Sequence, residues 1–225
     1  MLLIFDCDGV LVDSEPIARR VLAELLEETG FPAPDETHAA NHTGISLPTV
    51  LSMIENAADR PLPPGFADRL RQRSQEAFAL GLRAVAGVAE TLTRLCEPRC
   101  VASSGSPQKI RRNLALTGLL EYFDPHLFSG EMVARGKPAP DLFLFAAERM
   151  GFRPADCVVI EDSIPGVRAG RAAGMRVLGF VGGGHCLPDS ADSLRSAGAQ
   201  DVIERMADLP GWLGGLGSLS SAIDD

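Results

Sequence analysis

The segment Leu2-Leu3-Ile4-Phe5 is apolar at every position rather than at alternate ones, the pattern of a strand covered on both faces. Comparable segments recur at Arg99-Cys100-Val101-Ala102, Cys157-Val158-Val159-Ile160, Val177-Leu178-Gly179-Phe180-Val181 and, shorter, Val202-Ile203. Helix-like sequence separates each from the next. This β-then-α order predicts an α/β fold with a Rossmann-like, doubly wound parallel sheet.

Between the first and second strands lies a stretch of about eighty residues with no strand pattern, far longer than one crossover needs. Arg19 to Glu28 and Phe66 to Leu82 carry apolar residues at helical spacing, and Pro61, Pro63 and Pro64 interrupt the gap between them. The expectation is an α-helical insertion over 14–86, with the α/β core formed discontinuously by 1–13 and 87–210. A chain of 225 residues suits one such domain with an insertion. After Pro210, "GWLGGLGSLSSAIDD" is rich in Gly and Ser, so 211–225 reads as a mobile tail.

The formal net charge is −9 and there is no basic run, which argues against nucleic acid or an anionic membrane as partner. No apolar run reaches the length of a bilayer span, and "MLLIFDCDGV" meets acid almost at once instead of starting with a basic leader. The five cysteines are odd in number and form no CxxC pair, which points to reduced thiols and a cytoplasmic setting.

The chemistry concentrates at strand ends. Asp6 and Asp8 lie two apart, on the same face, where the first strand runs out in "IFDCDGVLVDSE". Ligands of open α/β sheets bind beyond the carboxyl ends of the strands. Gly9 lets the backbone turn tightly there, and a hard cation such as Mg²⁺ would relieve the repulsion between the two carboxylates. An Asx turn at a strand end explains the same residues with no ligand. An EF-hand loop does not fit, because Val10, Leu11 and Val12 follow the glycine.

Three further stretches sit at equivalent places. In "VASSGSP", Ser103 and Ser104 precede a helix start at Pro107, either as an anion site or as a helix cap. In "RGKPAPDLF", Lys137 is either a surface charge or a cation aimed by a proline-stiffened loop. In "VVIEDSIPGVRAGRAAGM", a strand ends in Glu161-Asp162 and a helix with a small-residue face follows, suited to close packing on the sheet. Adjacent buried acids are expensive unless a cation meets them.

In this order, "DCDGVLVDSE", "ASSGS", "GKPAPD" and "VIEDSIPGVRAGRAAGM" resemble the motifs of the haloacid dehalogenase-like hydrolase superfamily, with a helical cap inserted after the first. The resemblance spans nearly the whole chain. It implies that Asp6 is the nucleophile forming an aspartyl-phosphate, and that Asp8 is general acid and then base. It implies Mg²⁺ held by Asp6, the backbone carbonyl of Asp8, Asp162 and Glu161, the last directly or through water. Ser103 and Lys137 would bind the phosphoryl oxygens, with Gly9 and Ser104 lining the same site. Members that cleave carbon–halogen bonds need neither the second aspartate nor a metal, so Asp8 and the Glu161-Asp162 pair favour a phosphatase.

Within the superfamily the chain is similar to sugar-phosphate phosphatases and to β-phosphoglucomutase. Val10 is shared with the mutase-like group. The mutase's cap histidine and cap-loop arginine correspond here to Ala18 and Leu47, which favours hydrolysis, although Arg19 or Arg20 can replace the histidine by a shift of register. The expected activity is therefore a Mg²⁺-dependent phosphatase acting on a small phosphorylated metabolite, foremost a sugar phosphate, with mutase-like transfer as the alternative. A receiver-like phosphoaccepting module fits less well, since such modules are shorter and lack a cap. Specificity is expected in cap residues Thr43 to Leu47, with Gly44 at the loop tip, and His42 is not assigned to the site. Mn²⁺ would fit the same oxygens. Oligomeric state is open, and a monomer is consistent with the sequence.

Overall fold

The computed structural model describes residues 1–32 and 47–220. Six parallel strands form one sheet: β1 (Leu2–Phe5), β2 (Arg99–Ser103), β3 (Leu127–Ser129), β4 (Cys157–Glu161), β5 (Arg176–Phe180) and β6 (Asp201–Ile203). Their order is β3-β2-β1-β4-β5-β6. The α/β, Rossmann-like doubly wound class expected from the apolar runs is therefore the observed one.

The continuous apolar pattern of β1 has a direct cause in packing. Leu3 and Phe5 enter a core on one face of the sheet with Val101, Ile160 and Phe180. Leu2 and Ile4 enter a second core on the other face with Cys100, Val159 and Val177. All four β1 side chains are fully buried, so neither face tolerates a polar residue. Phe5 also meets Phe123 edge to face, with ring centroids 5.7 Å apart.

β3 was not expected from the sequence. It has only three residues at the sheet edge, in "HLFSG", too short to show a strand pattern.

The first three of the four described helices between β1 and β2 are α1 (Glu15–Glu28), α2 (Leu47–Ala58) and α3 (Phe66–Gly81). They share a separate core of Val21, Leu25, Leu26, Phe31, Val50, Ile54, Phe66 and Leu70. The sequence reading held α1 and α3 but not α2, which buries Val50 and Ile54 and packs Leu47, Leu51 and Ala58 against the same core. Val12 bridges Ala84 where the chain leaves and rejoins the sheet region.

On the sheet, α4 (Val88–Arg94), α5 (Pro107–Leu116) and α9 (Leu209–Ser220) supply the first core, through Val88, Ile110, Leu114 and Leu213. The opposite core takes α6 (Asp141–Met150), α7 (Ile164–Ala172) and α8 (Ser190–Ala197).

The mobile tail expected from residue 211 is corrected as far as Ser220: that stretch is the body of α9. Its apolar residues decide the matter, because Leu213 is buried and Trp212 and Leu216 pack against the same core. Trp212 Nε1 also donates to Asp201 at 3.2 Å. Among the described residues no helix is long and apolar enough to cross a membrane. Leu213→Ala is expected to destabilise the protein by about 2 kcal/mol in urea unfolding, whereas a tail that is not docked predicts no change.

Candidate active site

In a sheet of this order the connections reverse direction between β1 and β4, which opens a crevice beyond the carboxyl ends of those two strands. Phe5 is in register with Ile160, so Asp6 and Glu161 emerge side by side. The backbone N–H of Asp6 donates to Ile160 O at 3.0 Å. Parallel pairing thus brings together residues 155 positions apart in sequence, and it fixes them on the most buried pair of strands.

One oxygen of each of Asp6, Glu161 and Asp162 lies within 4.8 Å of the others, and all three side chains are buried. Lys137 answers them: its ammonium is 2.7 Å from Asp6 Oδ1 and 2.5 Å from Glu161 Oε1. Its side chain is 1% exposed, so the surface-charge alternative for this lysine does not hold. Glu161 Oε2 accepts from the Ser163 amide at 2.8 Å and its hydroxyl at 2.9 Å. Glu161 is therefore engaged at both oxygens, and it serves first to hold Lys137.

Asp8 is held separately. Ser14 Oγ donates to its Oδ1 at 2.6 Å and Lys109 Nζ to its Oδ2 at 2.7 Å. The Asp8 carboxylate is thus not part of the acidic group, and any ligand it gives to a metal comes from its backbone carbonyl. Ser103 ends β2 beside β1, buried, with its hydroxyl accepting from Gly105 N at 3.2 Å. That acceptor role leaves the hydroxyl hydrogen free to donate. Ser104 is exposed.

Glycines permit this crowding. Gly9 has φ +85°, and a Cβ there would fall 1.9 Å from Asp162 Oδ2. A Cβ on Gly166 would fall 1.8 Å from Glu161 Oε1. The small face of α7 was expected to serve helix-on-sheet packing. Gly170 does so against Val159 and Val177, whereas Gly166 makes room for a site carboxylate.

The site holds residues that the motifs did not single out. The loop Gly182-Gly183-Gly184-His185 folds over Gly9, and a Cβ on Gly183 would approach Gly9 O to 2.7 Å. Gly184 N donates to Asp13 Oδ1 at 2.9 Å, which ties the loop down. His185 Nε2 lies 2.9 Å from Asp162 Oδ2. The approach is not aligned for a hydrogen bond, and that buried oxygen has no hydrogen-bond partner. Arg19 Nη1 reaches His185 O at 3.4 Å, and Arg20 pairs instead with Glu24 on the surface. Glu15 faces Asp8, Lys109 and His185. Thr43 and Gly44, expected to shape specificity, and His42 lie outside the described residues.

The electrostatics follow from burial. Desolvation pushes the Asp6 carboxyl up from 3.8 to about 7 against the pull of Lys137, and Glu161 adds to the rise. Asp162 is raised well above the carboxylate range by burial, then by Glu161 and Asp6. For Asp8 burial works upward too, but Lys109 and Ser14 outweigh it and hold the carboxyl below its ordinary value. A buried Asp162 oxygen without a hydrogen-bond partner, two buried acids beside it and a glycine cradle fit a hard divalent cation, which takes oxygen ligands.

Against this geometry, the sequence pattern of haloacid dehalogenase-like hydrolases matches residues 1–174. The chain belongs to that family. It is 31% identical over 185 residues to a 6-phosphogluconate phosphatase of Escherichia coli, covering 82% of this chain and 84% of the relative. A haloacid dehalogenase-like protein of unknown function from Agrobacterium tumefaciens superposes with TM-score 0.86 at 40% identity, over 96% of this chain and 98% of the other. A family hydrolase from Deinococcus radiodurans, solved with bound phosphate and sodium, gives 0.79 at 37% identity over 96% of each chain.

Because Asp6 and Asp162 are raised in the folded chain, their contribution to metal-free stability is full below the unfolded carboxylate range. It is lost as pH rises, for Asp6 through about 7. A divalent cation competes with those protons. The rise in melting temperature on adding Mg²⁺ is expected to be larger near pH 8 than near pH 5, and Asp162→Asn should remove most of it. An equal rise at both pH values would contradict a site made of these carboxylates.

Proposed function

We propose that the protein is a Mg²⁺-dependent phosphatase that hydrolyses a small phosphorylated metabolite, foremost a sugar phosphate, through an aspartyl-phosphate. The observation that carries this reading is the division of labour between two neighbouring aspartates. Asp6 is bound to a buried lysine among acids, while Asp8 is held apart by Ser14 and Lys109. Family membership and the phosphatase named among the relatives support the same reaction class.

Asp6 supplies the nucleophilic oxygen that attacks phosphorus. Asp8 gives a proton to the departing alcohol oxygen and then takes one from the water that cleaves the aspartyl-phosphate, one residue serving both half-reactions. Lys137 and the Ser103 hydroxyl meet the phosphoryl oxygens, where negative charge gathers in the transition state. Lys137 also favours the ionised form of Asp6, opposing part of the rise that burial causes, and Glu161 holds Lys137 in place. Asp6, Asp162 and the Asp8 carbonyl would hold Mg²⁺, with Glu161 directly or through water. When bound, the ion neutralises charge on phosphate and carboxylates alike.

The division at 14–86 is read as a helical cap, supported by the separate core of α1, α2 and α3. Its closure over the crevice would exclude bulk water from the aspartyl-phosphate. A cytoplasmic setting accords with five free cysteines.

Phosphate release from a panel of sugar phosphates and small phosphorylated acids tests the reading, with Mg²⁺ and with EDTA. Turnover is expected to need the metal and to fall on the order of 10³-fold or more in Asp6→Asn. Release that survives EDTA or the substitution would sink the proposal.

A further inference from the structure

Each aspartate of the first motif has its own lysine. Lys137 Nζ lies 2.7 Å from Asp6 Oδ1, and Lys109 Nζ lies 2.7 Å from Asp8 Oδ2. The two pairs differ in setting. The Lys137 side chain is 1% exposed, but that of Lys109 is 36% exposed and that of Asp8 15%. The second pair is the more open to solvent. A partly exposed pair adds less to stability than a buried one, and Asp8 is already held on its other oxygen by Ser14.

The surrounding geometry is built. Lys109 stands in the first turn of α5, where its backbone N–H donates to the N-cap hydroxyl of Ser106 at 3.3 Å. That cap fixes the backbone from which the side chain reaches across to β1. On the other oxygen of Asp8, Ser14 donates from just ahead of α1 at 2.6 Å. The carboxyl is therefore gripped at both oxygens by two separate elements.

We propose that Lys109 is a positioning residue for the leaving-group step, aiming the Asp8 carboxyl at the oxygen of the departing alcohol. The proposal rests on the phosphatase reading above. In that step Asp6 Oδ forms a bond to phosphorus while the bond from phosphorus to the alcohol oxygen breaks, its electron pair going to that oxygen. The oxygen takes a proton that Asp8, ionised in the resting pair with Lys109, first gains from water as substrate binds, and the carboxylate left behind again faces the ammonium of Lys109. Lys109 itself keeps its proton throughout. An ammonium on one oxygen and the Ser14 hydroxyl on the other restrict where the carboxyl can point, and proton transfer depends on that aim.

The test compares kcat/KM for the best sugar phosphate of the panel with that for p-nitrophenyl phosphate, in wild type, Lys109→Met and Lys109→Arg. p-Nitrophenolate departs without a proton, whereas a sugar alkoxide needs one. This ratio covers only the steps up to release of the leaving group, so later hydrolysis of the aspartyl-phosphate does not enter. Lys109→Met is expected to lower the sugar-phosphate value about hundredfold and the aryl value less than about tenfold, with a melting temperature near that of the wild type. Lys109→Arg should recover part of the sugar-phosphate loss. Equal losses on both substrates would overturn the proposal, since they indicate phosphoryl binding or damage to the fold, and so would no loss on either. A wild-type protein that hydrolyses neither substrate would overturn the phosphatase reading instead, and this role with it.

Discussion

Everything at the head of the sheet depends on one electrostatic constraint: three buried carboxylates, from Asp6, Glu161 and Asp162, share a space less than 5 Å across. Left unanswered, such a group would protonate or open the strands apart. Lys137 answers part of it by bridging Asp6 and Glu161, and the Asp162 oxygen, which has no hydrogen-bond partner, leaves the cluster able to hold a cation.

The fold makes that density reachable by keeping backbone out of the way. Gly9 and Gly166 stand where any side chain would collide with a site carboxylate. Gly9 alone also needs its positive φ. The glycine-rich loop before His185 closes over the same point from β5. Strand ends, a helix start and two glycine turns thus meet within a few ångströms, and each contributes through close approach rather than through bulk.

Much of the fold was legible from one-dimensional pattern because the strands are short and their inner residues apolar and buried, β1 throughout. β3 was not, since three edge residues carry no such pattern. The final helix was misread because its Gly and Ser were given more weight than Leu209, Leu213 and Leu216, which recur at helical spacing and dock it together with Trp212. In the site, Asp6, Asp8, Glu161 and Asp162 could be recognised because each lies at the end of a strand that announces itself. Lys137 read equally well as a surface charge until its burial was seen. Lys109, Ser14 and His185 offered little local signal: a lysine in a first helical turn, a serine before a helix and a histidine after glycines are common and mostly without special role.

The sequence by itself determined which residues are acidic at strand ends, which segments must be buried, and that an insertion separates β1 from β2. Those properties follow from hydrophobic pattern and residue order, which are local. Only the tertiary structure decided that Lys109 belongs to Asp8 and Lys137 to Asp6, that Glu161 is engaged on both oxygens, and that Gly166 serves the site rather than the sheet. Pairings of this kind depend on the register of parallel strands and on the direction in which each helix leaves the sheet. Neither leaves a trace in the spacing of residues along the chain.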